Sequence, residues 1–492
     1  MRGRGVLHKF HCGATRPGLA RLHSMVLLPR VHLPVDPLRI RGRRHQALPA
    51  HHGSPGFAGH PFTAVPGLRR NPRRQHPRTL IRDRHFAGQA NVRVCYTPAM
   101  QVLTALSTTV VTEDALEEVC RTVAAGLAGR PVDLAFVFFS PDHSDSADLI
   151  VSKIRERLRP AVLLGCSAES VIGGTQEVEG QPALCLWAGH LPGTTFTPFH
   201  LEYVEAGEGT RISGWPDQMP GLEHNPSFLV LAEPFTTAPA EAFLEDLATR
   251  YPGATAIGGM ASGGQEPGAN RLIFNDTVVD SGVIGVAMTG AVSIRTIVSQ
   301  GCRPIGDRFM ITQADQNVIH ELSGKPALDC LREVFGLLSP AEQRQAERAL
   351  HMGIVIDEHK DQFDRGDFLI RNLVGVDQKT GSLAVADYVR VGQTVQFQLR
   401  DGASASEDLR ALLTGERTVA HAGDPIGALL FSCNGRGQRF FRIPHHDVTA
   451  VREQLGGIPV GGFFAMGEIG PVGGNNFLHG YTASIALFCK ND

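Results

Sequence analysis

Along most of the chain the apolar residues come in short, nearly continuous runs, and between those runs they recur at helical spacing. Three segments repeat one order of events: an apolar strand ending in a small polar loop, an amphipathic helix, a Pro or Gly, and a second apolar strand running into a Gly-rich turn. The first predicts strands over Val132–Ser140 and Ala161–Glu169, joined by a helix with Leu149, Ile150, Ile154 and Leu158 on one face. The second predicts strands over Phe228–Phe235 and Ala256–Gly263 around a helix carrying Phe243, Leu244 and Leu247. The third predicts strands over Gly427–Arg436 and Val460–Glu468 around a helix carrying Val448, Val451 and Leu455. Each closes with another strand, at Ala183–Trp187, Gly282–Met288 and Ser484–Phe488.

Strands apolar at nearly every position need burial on both faces, so the expected class is α/β, a mixed α+β fold of repeated strand-helix-strand units forming mixed sheets covered by helices. Crossover makes two strands of each unit parallel, and the closing strand returns antiparallel. Loops after parallel strands gather at one end of a sheet, where ligands bind. The candidate lining is therefore Ser140–His143, Gly165–Glu169, Gly259–Gly263, Cys433–Gly437 and Phe463–Gly474, with the turns expected around a common hollow. Between the second and third repeats the pattern changes: helices are expected over Ala327–Phe335, Pro340–Leu350 and Ala405–Leu413, and strands over Gly353–Ile356, Phe368–Leu373 and Val389–Leu399.

Charge separates another stretch. Met1 to Cys95 holds 18 basic residues against Asp36 and Asp83, a formal +16, whereas the remainder is −18. That stretch holds 10 prolines, 10 histidines and no apolar period, and residues 1–99 read as disordered. Met100 stands directly before the first strand-like run and is an alternative start. A basic arm for nucleic acid would need such charge, but aromatic interleaving for base stacking is nearly absent from this stretch, and no nucleic acid is expected on the folded body. No apolar stretch has the length and continuity of a membrane span. Nine scattered cysteines without a CxxC argue against a disulfide framework or a zinc site and fit a reducing cytoplasm.

The segments LLGCSAESVIGG and AIGGMASGG resemble FIST-N motifs, while FLIRNLVGVD, VGQTVQFQLRDGASASEDL, LLFSCNGRG and GGFFAMGEIGPVGG resemble FIST-C. The likeness spans about Ala105 to Phe488, with FIST-N expected over 100–323 and FIST-C over 324–490. It implies a cytoplasmic sensory module for signal transduction that binds a small ligand, an amino acid or a related molecule, and passes the signal to a separate output protein. No output domain or F-box is recognisable at either end.

Residue chemistry at the loops leaves several roles open. Arg436 offers a planar fork for a carboxylate and Glu468 an acceptor for an amine, or the two pair with each other. Phe463 and Phe464 alternate along a strand, one for the core and one for the site. Ser140, Cys166, Ser167, Glu169, Met260, Ser262, Cys433, Asn434 and Asn475 complete the expected ligand-binding set. A second class, a hydrolase or transferase with a cysteine nucleophile, rests on Cys166, Cys433 and His143; a third is a protein-interaction scaffold. His143 equally reads as part of a helix start capped by Asp142 or Ser144, and Asp447 as the cap of the helix carrying Val448. His445 and His446 are adjacent and cannot readily face one ion, and the glycines of 470–474 precede a strand; neither a metal nor a cofactor is expected.

Overall fold

The computed structural model describes residues 99–491 except 207–208, 218–225, 236–239 and 419–422. The reading of residues 1–99 thus lies almost wholly outside the described residues.

In every repeat the first strand lies parallel to the second and antiparallel to the closing one. Leu134–Phe139 pairs with Val162–Ser167 and Leu184–His190, Ser227–Ala232 with Thr255–Met260 and Val283–Gly290, and Pro425–Cys433 with Val460–Ala465 and Ala483–Lys490. A further strand borders each closing strand, at Gln101–Ser107, Thr194–Ala206 and Val292–Ser299.

The Gly-rich turns do something the sequence pattern did not reveal. Each opens a hairpin that leaves its own sheet and adds to a neighbour's. Hairpin Ser170–Glu179 of the first unit pairs with Val460–Ala465 of the third. The hairpin from Leu272 to Val279 of the second unit pairs with Val162–Ser167 of the first. That from Glu468 to His479 of the third pairs with Thr255–Met260 of the second. The exchange is cyclic, so three mixed sheets of one strand order are tied into a pseudo-threefold ring.

Alternation along the strands divides the burial. Phe136 and Phe138, Leu229 and Leu231, and Leu429 and Phe431 point into one core common to all three sheets. Rings from different units meet there, with Phe138 and Phe463 centroids 5.0 Å apart. The opposite faces are covered by helices: Thr112–Leu127 and Ala147–Leu158 over the first sheet, Ala240–Arg250 over the second, Gly402–Thr418 and His446–Gln454 over the third. One glycine in each second strand is obligatory. A Cβ on Gly165, Gly258 or Gly462 would stand 2.2, 1.8 or 1.9 Å from the carbonyl oxygen of its ladder partner Val137, Val230 or Leu430.

The material between the second and third repeats is an insertion into the third unit. Cys302–Asp315, Thr394–Arg400, Leu350–Val355, Phe368–Asp377, Ser382–Val385 and Val318–Leu322 pair in that order, and Val318–Leu322 pairs back to Cys302–Asp315. This closes a six-stranded antiparallel barrel with its own core, plugged by helix Ala327–Leu337 through Leu328, Leu331, Val334 and Phe335. Closure removes the exposed edges that so long a meander would leave.

Candidate functional site

The strand-end turns do come together, but against one another. Glu169 N–H donates to Ser262 Oγ (2.9 Å), Ser262 Oγ donates to Phe464 O, and Met260 N–H donates to Gly467 O (2.8 Å). Ser167 Oγ accepts from Arg271 N–H and donates to Asn270, whose amide reaches the buried Glu233. Ser140 Oγ donates to Asp142 and accepts from Ala183 N–H. These groups close the top of the ring. Glu169 and Asn475 have exposed side chains, Asn475 at a hairpin tip.

Two of the three residues named for the catalytic alternative are buried. Cys166 lies in the central apolar core, and burial pushes its thiol well above the ordinary range. His143 is buried in a 3-10 turn, Pro141–Ser146, that precedes the helix; its Nδ1 meets Thr112 Oγ1 at 2.9 Å, and burial lowers its pKa. Neither Asp142 nor Ser144 caps the helix, whose N-cap is Ser146. Phe463 and Phe464 are both core residues, on opposite faces of their sheet.

Arg436 and Glu468 do not form the expected pair. Arg436 is fully buried, donating from Nε to Asp447 Oδ2 at 2.7 Å and from Nη2 to Asp447 Oδ1 at 2.8 Å. Asp447 also accepts from Ser432 Oγ and meets His446 Nδ1, so it is a buried counterion and not a helix cap. Burial alone would lower the Arg436 pKa and raise that of Asp447; their mutual attraction outweighs it, and both shift the other way. The Arg436 fork is therefore committed to Asp447.

Beside this pair the third unit meets the barrel, and buried polar atoms collect there without partners in the protein. Glu468 Oε2 accepts from Thr482 N–H (3.0 Å) and Oγ1 (2.8 Å), while Oε1 has no partner. The same holds for Asn434 Oδ1, Arg400 Nε, Ser484 Oγ and both amide atoms of Gln300. Each such group costs about 1–3 kcal/mol if left dry, so a cluster of them marks a place built for polar contact. Ladder register ties them together. Ser299 faces Ala483 in the last pair of the ladder; Gln300 follows Ser299, and Thr482, just before Ala483, binds Glu468 through its hydroxyl and accepts from Cys433 N–H at its carbonyl.

From the barrel side comes Arg400, last residue of its strand. Its guanidinium is stacked between Phe440 (4.0 Å) and Tyr481 (4.5 Å), and Nη2 donates to Gly435 O at 2.7 Å. Tyr481 in turn lies 4.5 Å from the His351 ring, and Asn372 accepts from the Tyr481 hydroxyl. Tyr481 takes a left-handed backbone at φ 68°, a conformation costing an L-residue roughly 1–2 kcal/mol, and such strain gathers at functional sites. Burial sets the electrostatics: Glu468 is pushed up to about 8 and Cys433 up to about 12, whereas His351 falls to about 4. Gly435 and Asn372 are exposed, so the cluster reaches solvent.

Of the expected residues this junction brings together Cys433, Asn434 and Glu468, with Arg436 just behind. Sequence reasoning missed Arg400, Tyr481, His351 and Gln300. A surface hollow of about 360 Å³ lies elsewhere, between Leu106, Thr109 and Glu118 and the hairpin tip at 173–176. Its exposed Glu118 already accepts from Ser107, so the junction carries the richer chemistry.

Comparison with known proteins agrees with the motifs. The FIST N domain family matches residues 133–325 and the FIST C domain family residues 327–471. Uncharacterized protein Rv0628c of Mycobacterium tuberculosis is 44% identical over 363 residues, covering 74% of this chain and 92% of its own length. Uncharacterized protein Mb0898c of Mycobacterium bovis is 43% identical over 363 residues, with the same two coverages.

Proposed function

Because the chain belongs to the FIST family, we propose that it is a sensory module binding a small carboxylate-bearing ligand, an amino acid or a related molecule, where its third unit meets the barrel. FIST-N then runs over 100–323 and FIST-C over 324–490, and the contacts come from FIST-C apart from Gln300. The observation that carries this reading is the gathering of unpartnered buried polar atoms on Gln300, Arg400, Asn434 and Glu468 at one junction. Arg400 takes over the carboxylate role first expected of Arg436, since it has no carboxylate partner and keeps Nε free. A ligand touching both Arg400 and Glu468 bridges barrel and ring, and so favours one arrangement of the two over others; a separate output protein would read that arrangement.

Catalysis through Cys433 has less support. A thiol pushed up to about 12 is almost wholly protonated near neutrality. Among the described residues no helix is long and apolar enough to cross a membrane, and the seven described cysteines are all free thiols, which accords with a cytoplasmic location. A melting-shift screen against amino acids and small carboxylates, with product analysis on each hit, tests the proposal. Stabilisation growing with the logarithm of ligand concentration, and no turnover, is expected. A hit whose affinity survives Arg400→Gln would rule out this junction.

A further inference from the structure

Resting on the junction as the ligand site, we infer that its ligand is a monoanionic carboxylate with a neighbouring carbonyl or hydroxyl oxygen, a keto or hydroxy acid, and that Glu468 reads this oxygen by donating a hydrogen bond from Oε1. The charges around Glu468 decide the class. Arg436 is neutralised by Asp447 and Arg371 by Asp387, whose Oδ2 lies 2.6 Å from Arg371 Nε. His479, the ladder partner of Glu468, meets Gly470 O through Nε2 and is held neutral by burial, its pKa lowered to about 4; His351 is held neutral likewise. Cys433 and Tyr481 are neutral acids, each pushed up by burial. Arg400 is left as the junction's uncompensated cation among the described residues, so the site favours a single negative charge. Phe440 and Tyr481 cover its faces, which leaves its edge, with Nε, to meet a carboxylate.

Glu468 is fully buried; the Thr482 N–H and hydroxyl both donate to Oε2, and the Cys433 thiol is also within hydrogen-bonding reach of the carboxyl. Its proton therefore belongs on Oε1, the oxygen with nothing to accept. Held protonated up to about pH 8, it presents a donor to the ligand and not a negative charge. An oxo or hydroxyl oxygen next to the carboxylate accepts from it, and the free Gln300 amide can serve the same oxygen as donor or acceptor. An ammonium there would have to draw the proton off Glu468 first.

The two ligand classes differ in the sign of their pH dependence. A keto or hydroxy acid loses affinity once Glu468 ionises, approaching about tenfold per pH unit above its pKa. An amino acid gains affinity as pH rises toward that value. Calorimetry on the full chain with pyruvate, lactate and alanine, and with 2-oxoisocaproate, 2-hydroxyisocaproate and leucine, from about pH 6 to about pH 9.5, separates them. The oxo or hydroxy member of one set is expected to bind about tenfold or more tightly than the amine near neutrality and to weaken toward high pH. Glu468→Gln, whose amide donates at every pH, is expected to abolish that weakening. Tighter binding of the amine, affinity rising with pH, or binding by none of the six overturns the inference. If a member binds but Arg400→Gln leaves its affinity unchanged, the junction reading itself fails, whichever class it belongs to.

Discussion

Replacing Arg436 with Ala removes one half of a buried ion pair and leaves the other half in place. Both side chains are essentially inaccessible, at 0% and 1% exposure, and the contact is bidentate. Asp447 would keep Ser432 Oγ and His446 but lose its charge partner, and breaking such a pair from one side costs about 3–5 kcal/mol. Loss of the guanidinium under Phe441, 5.0 Å from the ring centroid, adds to this. The sign with pH follows from Asp447, whose folded pKa is depressed. Its stabilisation is present above the unfolded value near 4 and is lost as pH falls through the folded one. The variant should therefore show its full loss in urea unfolding at neutral pH, and less in acid. Arg436→Met with Asp447→Asn, which removes both charges, should recover part of the loss. An Arg436→Ala protein with the parent unfolding midpoint but weakened carboxylate binding would refute this assignment and return Arg436 to the ligand.

Gly258→Ala forces a Cβ to within 1.8 Å of Val230 O and is expected to cost about 3 kcal/mol or more, whereas Gly415→Ala, at an exposed position of helix Gly402–Thr418 with nothing within 4 Å, should gain about 0.5–1 kcal/mol; unfolding midpoints moving in the same direction would contradict the packing. Cys166 and Cys433 should resist iodoacetamide in the native protein at pH 7.5 and react only after denaturation, as peptide mapping would show; native labelling of Cys433 at the rate of a free thiol would revive the nucleophile reading. Glu177 reaches from the first unit's hairpin to accept from Val448 N–H, and burial, reinforced by Asp447, pushes it up to about 8. Its raised pKa subtracts stability progressively as pH rises from the unfolded value near 4.5 to about 8. Glu177→Gln should thus stabilise the protein increasingly over that window, by a few kcal/mol at most, and an equal effect at pH 5 and pH 8 would argue against a protonated Glu177.

The repeat was legible because burial on both faces imposes apolar residues at every strand position, and helices between strands imprint their own spacing. The same periodicity is blind to sheet membership. Val171 and Ile172 look like a continuation of the first unit, yet they pair with Phe463 and Gly462 nearly three hundred residues away. Turn glycines signalled a change of direction without saying where the chain went. The barrel was equally hidden, since its closure depends on one pairing, Val318–Leu322 against Cys302–Asp315, that leaves no separate pattern. At the junction, Cys433, Asn434 and Glu468 were found from their places after strands. Arg400 and Tyr481 were not, because each gains its meaning from a partner in another segment; in the sequence Arg400 only precedes Asp401-Gly402, and Tyr481 only follows a glycine.

Pseudo-threefold symmetry also explains why the unpartnered polar groups described above collect in the third unit. Ser140, Glu233 and Cys433 occupy equivalent positions after the first strands, each donating its N–H to a carbonyl at the head of the closing strand, on Ala183, Gly282 and Thr482. The residues before those carbonyls are Pro182, Ser281 and Tyr481. In the first unit Ser140 is satisfied locally by Asp142 and Ala183, and in the second Glu233 is satisfied by Asn270 and Phe235. The third unit carries the barrel between its bordering strand and its first strand, and that barrel brings Arg400 and His351 against Tyr481. A symmetric ring of closed, self-satisfied turns offers a ligand nothing; an inserted barrel at one turn supplies the cation, the aromatic stack and the unspent hydrogen-bonding groups. The left-handed Tyr481 fits this account, because the roughly 1–2 kcal/mol that its backbone costs is offset only while barrel residues hold its ring. Any shift of the barrel against the ring would therefore disturb Tyr481 and Arg400 together, so on the proposed function the residues that bind would also be those that report the shift.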